Sequence, residues 1–189
     1  DQNKRKKFIE LELLKKSKRK NLTIEISDKL LNEVTDLVNK PNILACKFDD
    51  KFLQIPKEIL ITTMQFHQKY FHTFDNKGNI TNNFLVVANN KDNKGFIKSG
   101  NERVVNARLS DAQFFWEKNK SNNLVKQISK LKSINYFKKL GTYFDKAQRM
   151  RKLGAIISDE LLISKDKVEL LTSICKVDLL SDIVGEFPE

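Results

Sequence analysis

Between Gly100 and Glu117 the apolar residues fall at helical spacing. Val105, Leu109, Ala112 and Trp116 step by four, three and four, which lays them on one stripe. Arg103, Ala107, Asp111 and Phe114 form a second stripe, roughly opposite at about 100° per residue. A helix with one buried face has no reason to carry a Phe on the other. The pattern therefore predicts a central strut, opened by Gly100 and covered on both sides in its C-terminal half, with Phe114, Phe115 and Trp116 in the core. Arg103, Arg108, Glu102 and Asp111 then sit at the edges of a buried element, where a charge needs a partner.

The same reading extends along the chain. Residues 3–20 predict a basic helix with Phe8, Ile9, Leu11, Leu13 and Leu14 inside it, packed on the body or free to touch RNA or a membrane. Ser27 caps a helix from Asp28 to about Asn39, with Leu30, Leu31, Val34, Leu37 and Val38 inward and Pro41 as its stop. Ile43–Phe48 predicts a strand, and Asp49-Asp50 a turn. Pro56 opens a helix to about Gln68, on which Met64, His67 and Phe71 form one ridge and His67 is a core histidine. Tyr70–Asp75 and Phe84–Ala88 predict strands joined by a turn at Asn76–Asn79. Beyond a linker at Asn119–Asn123 the pattern is helical: Leu124 to about Lys132, an irregular piece to Lys139, a helix capped by Thr142, and a last helix over about 165–184. The class is α+β, a sheet-and-helix part to about residue 120 and then an all-α part. The divisions are a basic helical segment 1–27, a mixed module 28–120 and a helical segment 121–189.

Charge sharpens this picture. In 189 residues, 35 Lys and Arg face 24 Asp and Glu, a formal net charge of +11. Residues 156–189 carry −5 of it and residues 1–155 carry +16. A basic body with an acidic end points to an anionic partner, nucleic acid before membrane; a Lys-rich genome bias is the bland alternative. Cys46 and Cys175 fit no metal or redox spacing and read as reduced, buried thiols of a cytosolic protein. No apolar run approaches the ~18 residues of a membrane span. A start at Asp1 and a stop at Glu189 in mid-phrase lead us to expect a piece of a longer polypeptide.

Several ordered phrases resemble the β subunit of the bacterial-type, two-subunit glycyl-tRNA synthetase. They begin with Leu31–Val38 and Phe48-Asp49, continue through Ile61–Met64 and His67–Phe71, and are most specific at Gly100-Asn101-Glu102-Arg103-Val104-Val105 with Ala107–Leu109, Asp111-Ala112 and Phe114-Phe115. They resume at Lys139–Thr142 with Asp145-Lys146 and Arg149, and end with Cys175–Leu180 and Val184–Glu189. His72 stands where that family usually has Pro, and residues 1–20 match no phrase. The resemblance implies an interior fragment whose first part is B3/B4-like and whose last part opens an HD-like helical domain. It implies a cytoplasmic enzyme that joins glycine to tRNA-Gly. The α subunit carries amino-acid activation, the β subunit contributes tRNA binding and assembly, and the full-length assembly is α2β2. ATP and Mg2+ serve that holoenzyme, while the fragment alone holds no cofactor and is inactive.

The residues themselves support binding rather than catalysis. His67 and His72 are the two histidines, neither is followed by Asp, and none lies beyond residue 124, so the usual His–Asp metal pair of an HD hydrolase cannot form. Lys98-Ser99-Gly100-Asn101 lacks the spacing of a phosphate loop. The tRNA-binding candidates are Lys98, Asn101, Arg103 and Arg108 around the start of the central helix, which Asn101 caps, and Lys146 with Arg149 one turn apart further on. Arg103 and Arg108 pairing with Glu102 or Asp111 is the competing structural reading. A stand-alone basic RNA-binding module without enzymatic role is the alternative at the level of the whole chain.

Overall fold

The computed structural model describes residues 1–187, in two compact units, Asp1–Phe114 and the described residues from Phe115 onward. In the first, helix α1 (Gln2–Lys18) leads through the short strand β1 (Thr23–Ile24) to α2 (Asp28–Leu37) and β2 (Asn42–Lys47). A 3-10 turn precedes α3 (Lys57–Thr62), whose last turn widens into a π segment to His67. The hairpin β3 (Phe71–Phe74) and β4 (Ile80–Ala88) follows, then the long helix α4 (Phe96–Lys120). The four strands form one antiparallel sheet in the order β1-β3-β4-β2.

Residues 84–86 of β4 are all buried, so both faces of this sheet are covered. Register sorts the faces, because side chains alternate along a strand. Ala45, Leu85 and Phe71 lie opposite one another, and Ile43 and Val87 share their face. These residues pack with Ile9 and Leu13 of α1 and with Leu30, Leu31, Val34 and Val38. The other face carries Cys46, Phe84 and His72, with Tyr70 stacked on Phe84 at 5.3 Å between ring centroids. The basic N-terminal helix is therefore part of the body. Ile9, Leu13 and Ser17 form its buried stripe, and Arg5 Nε donates to Thr35 O at 2.9 Å. Ser27 caps α2 by accepting from Leu30 N, as its position predicts. Leu37, expected inward, is exposed, because the helix ends there and the chain turns to extended backbone at Val38.

The central helix differs most from expectation. It begins at Phe96 and runs straight through Gly100, which opens nothing. Its first-turn amides, Ile97 N and Lys98 N, are taken by the Asp92 carboxylate at 3.1 and 2.8 Å, so Asp92 does the capping assigned to Asn101. Val105, Leu109 and Ala112 are buried, but Phe114 is 63% exposed, Phe115 and Trp116 are half-buried, and Arg103, Arg108 and Asp111 are exposed. The strut covered on two sides is thus a helix with one buried face.

In the second unit, Leu124–Ser133 is a run of 3-10 turns rather than an α-helix. The part expected to be all-helical also holds a small hairpin, β5 (Asn135–Phe137) and β6 (Gly141–Thr142). Then come α5 (Tyr143–Glu160), α6 (Lys165–Ile174) and α7 (Asp182–Glu186); the last helix read over 165–184 is broken by a 3-10 turn at Val177–Leu180. Thr142 and Asp145 form a reciprocal capping box on α5. Gly154 lets α5 and α6 approach, since a Cβ there would meet Val168 Cγ1 at 2.8 Å. Leu153 and Ile156 of α5, Leu170 and Leu171 of α6, and Leu161–Ile163 between them remain exposed.

The buried histidine is His72, not His67. His67 is exposed, because the widened turn carries it off the buried ridge. His72 is 3% exposed, and neither ring nitrogen has a hydrogen-bond partner. Burial lowers its pKa, with Glu25 pulling the other way. The unfolded chain therefore binds a proton at pH values where the folded chain does not, so stability falls as the pH drops below the ordinary histidine value of about 6.5. We expect His72→Phe to remove that loss, the gap from wild type growing by about 1 kcal/mol per pH unit below that point; urea unfolding across the pH range checks it. Cys46 is buried and its thiol is pushed up to about 12 by burial and then by Glu102, whereas Cys175, expected to be buried, is exposed. A thiol reagent is expected to titrate Cys175 in the native protein and Cys46 only on unfolding.

Candidate nucleic-acid interface

In the first unit the candidates divide by helical geometry. Three polar side chains tie α4 to the sheet. Asn101 accepts from Tyr70 OH and donates to Ile97 O at 2.6 Å. The Glu102 carboxylate accepts from Lys47 N at 2.8 Å, and Asn106 Oδ1 accepts from Asp49 N at 2.9 Å. Asn101 is thus a half-buried structural residue, not a free ligand for phosphate. With Asn101, Glu102, Val105, Asn106 and Leu109 turned inward, a step of about 100° per residue puts Arg103 and Phe114 on the far side and Arg108 on a flank.

Both arginines point into solvent, and neither forms an ion pair with another described residue. The pairing with Glu102 or Asp111 is not made. Glu102 is engaged by Lys47 N and, at 3.8 Å, by Lys98 Nζ. Lys98 is therefore partly neutralised within its own helix. It is also part of a cluster that local sequence pattern does not reveal. Lys20, in the turn after the basic helix, feels the ammonium groups of Lys47 and Lys98; desolvation and then these two charges lower its pKa, while Cys46 and Glu102 act in the opposite sense. Lys20 Nζ donates to Asn83 Oδ1 at 2.9 Å, which ties the side chain to β4 beside Lys47. Three lysines far apart in sequence thus act on one another's charge, with Glu102 in the opposite sense. Nothing local in the sequence joins the three: Lys20 follows the end of α1 and Lys47 ends β2.

In the second unit, Lys146 and Arg149 do lie on one helix, but in different settings. Lys146 Nζ sits 3.9 Å from the Tyr136 ring centroid and 5.7 Å from that of Tyr143, a cation–π arrangement that holds the side chain. Arg149 is exposed and acts on the Asp145 carboxylate, which accepts from Thr142 N at 2.8 Å and is held below the usual carboxylate range chiefly by the Thr142 hydrogen bonds.

No converging carboxylates offer a bed for Mg2+: among the described residues no three His, Cys, Asp or Glu side chains come together. Lys98–Asn101 is helix interior rather than a loop that could wrap phosphates. No helix among the described residues is long and apolar enough to cross a membrane.

The model of the family described as glycyl-tRNA synthetase beta subunit matches residues 1–189. The chain belongs to the glycyl-tRNA synthetase β-subunit family. The match includes the basic helix α1, which the recognisable phrases left outside. The chain is 42% identical over 191 residues to the glycine–tRNA ligase β subunit of Thermodesulfovibrio yellowstonii, covering 100% of the chain and 28% of that relative. It is 40% identical to those of Listeria monocytogenes, covering 98% of the chain and 28% of the relative, and of Janthinobacterium sp., covering 89% and 24%. The chain thus spans about a quarter of the length of these relatives.

The phrase Gly100–Val105 that carries the family resemblance is the stretch that ties α4 to the sheet in this β-subunit chain. Glu102 has two duties there: it satisfies the amide at the end of β2 and offsets the lysine cluster. We expect Glu102→Gln to keep the hydrogen bond but lose the charge. The variant should be less stable by about 0.5–1 kcal/mol at low ionic strength, and the deficit should shrink as added salt screens the lysines. Thermal unfolding at low and high salt checks this; a deficit that does not respond to salt would contradict it.

Proposed function

We propose that this chain is a binding and assembly portion of the β subunit of glycine–tRNA ligase, and that it engages tRNA-Gly while glycine and ATP are activated elsewhere, on the α subunit of an α2β2 cytoplasmic enzyme. The observation that carries this is the outward face of α4. Tying one face to the sheet leaves Arg103 and Arg108 exposed and without an ion pair to another described residue, in a chain whose relatives are named as a tRNA ligase subunit. Arginines in that state keep their planar forks for phosphate. On this reading residues 28–120 form the B3/B4-like module and residues 121–189 open the HD-like domain. The contacts are Arg103, Arg108 and Arg149, with Lys98 and Lys146 lending charge and Asn101 holding the helix in place. The assembly half of the proposal is supported by the exposed Leu and Ile side chains of α5 and α6, an apolar surface of the kind other protein covers.

The reading makes separable demands. In the assembled enzyme, replacing Arg103 and Arg108 together by Ala should weaken tRNA-Gly binding about tenfold. It should also reduce the slope of log affinity against log salt by roughly two, one counterion per lost phosphate contact. Glycine-dependent pyrophosphate exchange should be unchanged. Loss of exchange with intact tRNA binding would contradict the proposal, as would exchange catalysed by the 189-residue chain alone.

A further inference from the structure

The hairpin β5–β6 is the feature the sequence pattern missed and the proposed function has not used. All three β5 residues are exposed. Tyr136 is held: its ring meets Tyr143 edge-on at 5.3 Å, and Lys146 Nζ lies over it at 3.9 Å. Phe137, one position on, has no ring or cation contact among the described residues and is 67% exposed. The turn at its end is closed by Leu140 N donating to Phe137 O at 3.0 Å, which presents Lys138 and Lys139 at the tip. Gly141 is required at the return. Its φ is +78°, and a Cβ there would strike the Asp145 carboxylate that caps α5. The hairpin is thus fixed to the helix beneath it and displays one unoccupied aromatic ring beside two lysines.

The surroundings decide what that ring meets. From residue 124 to 153 there are nine Lys and Arg against the single carboxylate of Asp145, which is already taken by Thr142 and acted on by Arg149 and Lys132. An apolar protein surface closing over Phe137 would have to desolvate the neighbouring ammonium groups without acceptors for them. A nucleotide brings both parts of the match, a flat ring for the Phe and a phosphate for the lysines. The exposed face of α5 and α6, by contrast, shows aliphatic side chains.

We propose that the β5–β6 hairpin is a stacking site for one unpaired nucleotide of an RNA strand, with Phe137 taking the base and Lys138 and Lys139 the flanking phosphates. A duplex does not fit this site, because its bases are already stacked. The inference rests on the tRNA-engagement reading and names the kind of nucleotide this unit takes.

The test uses the assembled enzyme with the full-length β subunit, fluorescently labelled tRNA-Gly, and a blunt RNA duplex without unpaired nucleotides. Phe137→Ala should weaken tRNA-Gly binding about tenfold, the effect of removing one base–aromatic stack. Phe137→Trp should restore it, and binding of the duplex should be the same for all three proteins. An exposed side chain leaves the fold intact, which unfolding temperatures of the variants verify. If wild type binds tRNA-Gly and Phe137→Ala binds it equally well, the stacking site is overturned and the wider reading stands. Equal loss on tRNA and duplex, or loss of subunit assembly with RNA binding intact, also overturns it. If wild type does not bind tRNA-Gly, the tRNA reading falls and the inference with it.

Discussion

The first unit depends on how α4 is fastened to the sheet. An amide at the end of a strand has no ladder partner, so a side chain that accepts from it ties a neighbouring element to the strand end. Here Lys47 N and Asp49 N are met by Glu102 and Asn106, and Tyr70 OH by Asn101, all from one helix. Val105, between these polar ties, and Leu109, one turn on, are fully buried. Polar ties fix the angular setting of a helix more tightly than apolar packing does, because hydrogen bonds are directional. Once that setting is fixed, the outward residues follow from helix geometry, and they include Arg103, Arg108 and Phe114.

Much of the fold was legible in the sequence, for local reasons. Ser27 and Thr142 cap helices where their position predicts it. The β3–β4 hairpin turns at Gly78, whose φ of +81° explains its Gly, with Asp75 accepting from the amides of Lys77 and Asn79. What failed was inference about coverage. Periodicity identified the stripe of Val105, Leu109 and Ala112, but a second stripe containing Phe114 was read as a second buried face, when an exposed Phe costs little. Gly100 was read as a break, but a Gly inside a long helix costs only about 1 kcal/mol, and Asp92 supplies the start signal four residues upstream of the helix. His67 was misread as a core histidine because the π turn after α3 shifts the phase of the residues within it. The β5–β6 hairpin was missed because its strands are too short to show alternation.

The candidate site was legible in part. Arg103, Arg108, Lys146 and Arg149 stand out in sequence as cations at helical spacing, and the structure exposes the three arginines. It also gives Lys98 and Asn101 internal partners. Lys20 and Lys47 could not have been found, since their proximity to Lys98 exists only after α1, β2 and α4 are brought together. The lysine cluster shows a general cost of collecting like charge, which Glu102 offsets, while Arg103 and Arg108 form no ion pair with another described residue and stay open to an external anion.

That outer face is where the account is most exposed to test. The direct measurement is a residue-resolved protection map of arginine and lysine modification in the assembled enzyme, with and without tRNA-Gly. The account predicts that Arg103 and Arg108 are shielded together by the tRNA, while Lys165 and Lys167 of the acidic C-terminal stretch keep their reactivity. Unchanged modification of both arginines under saturating tRNA would contradict it.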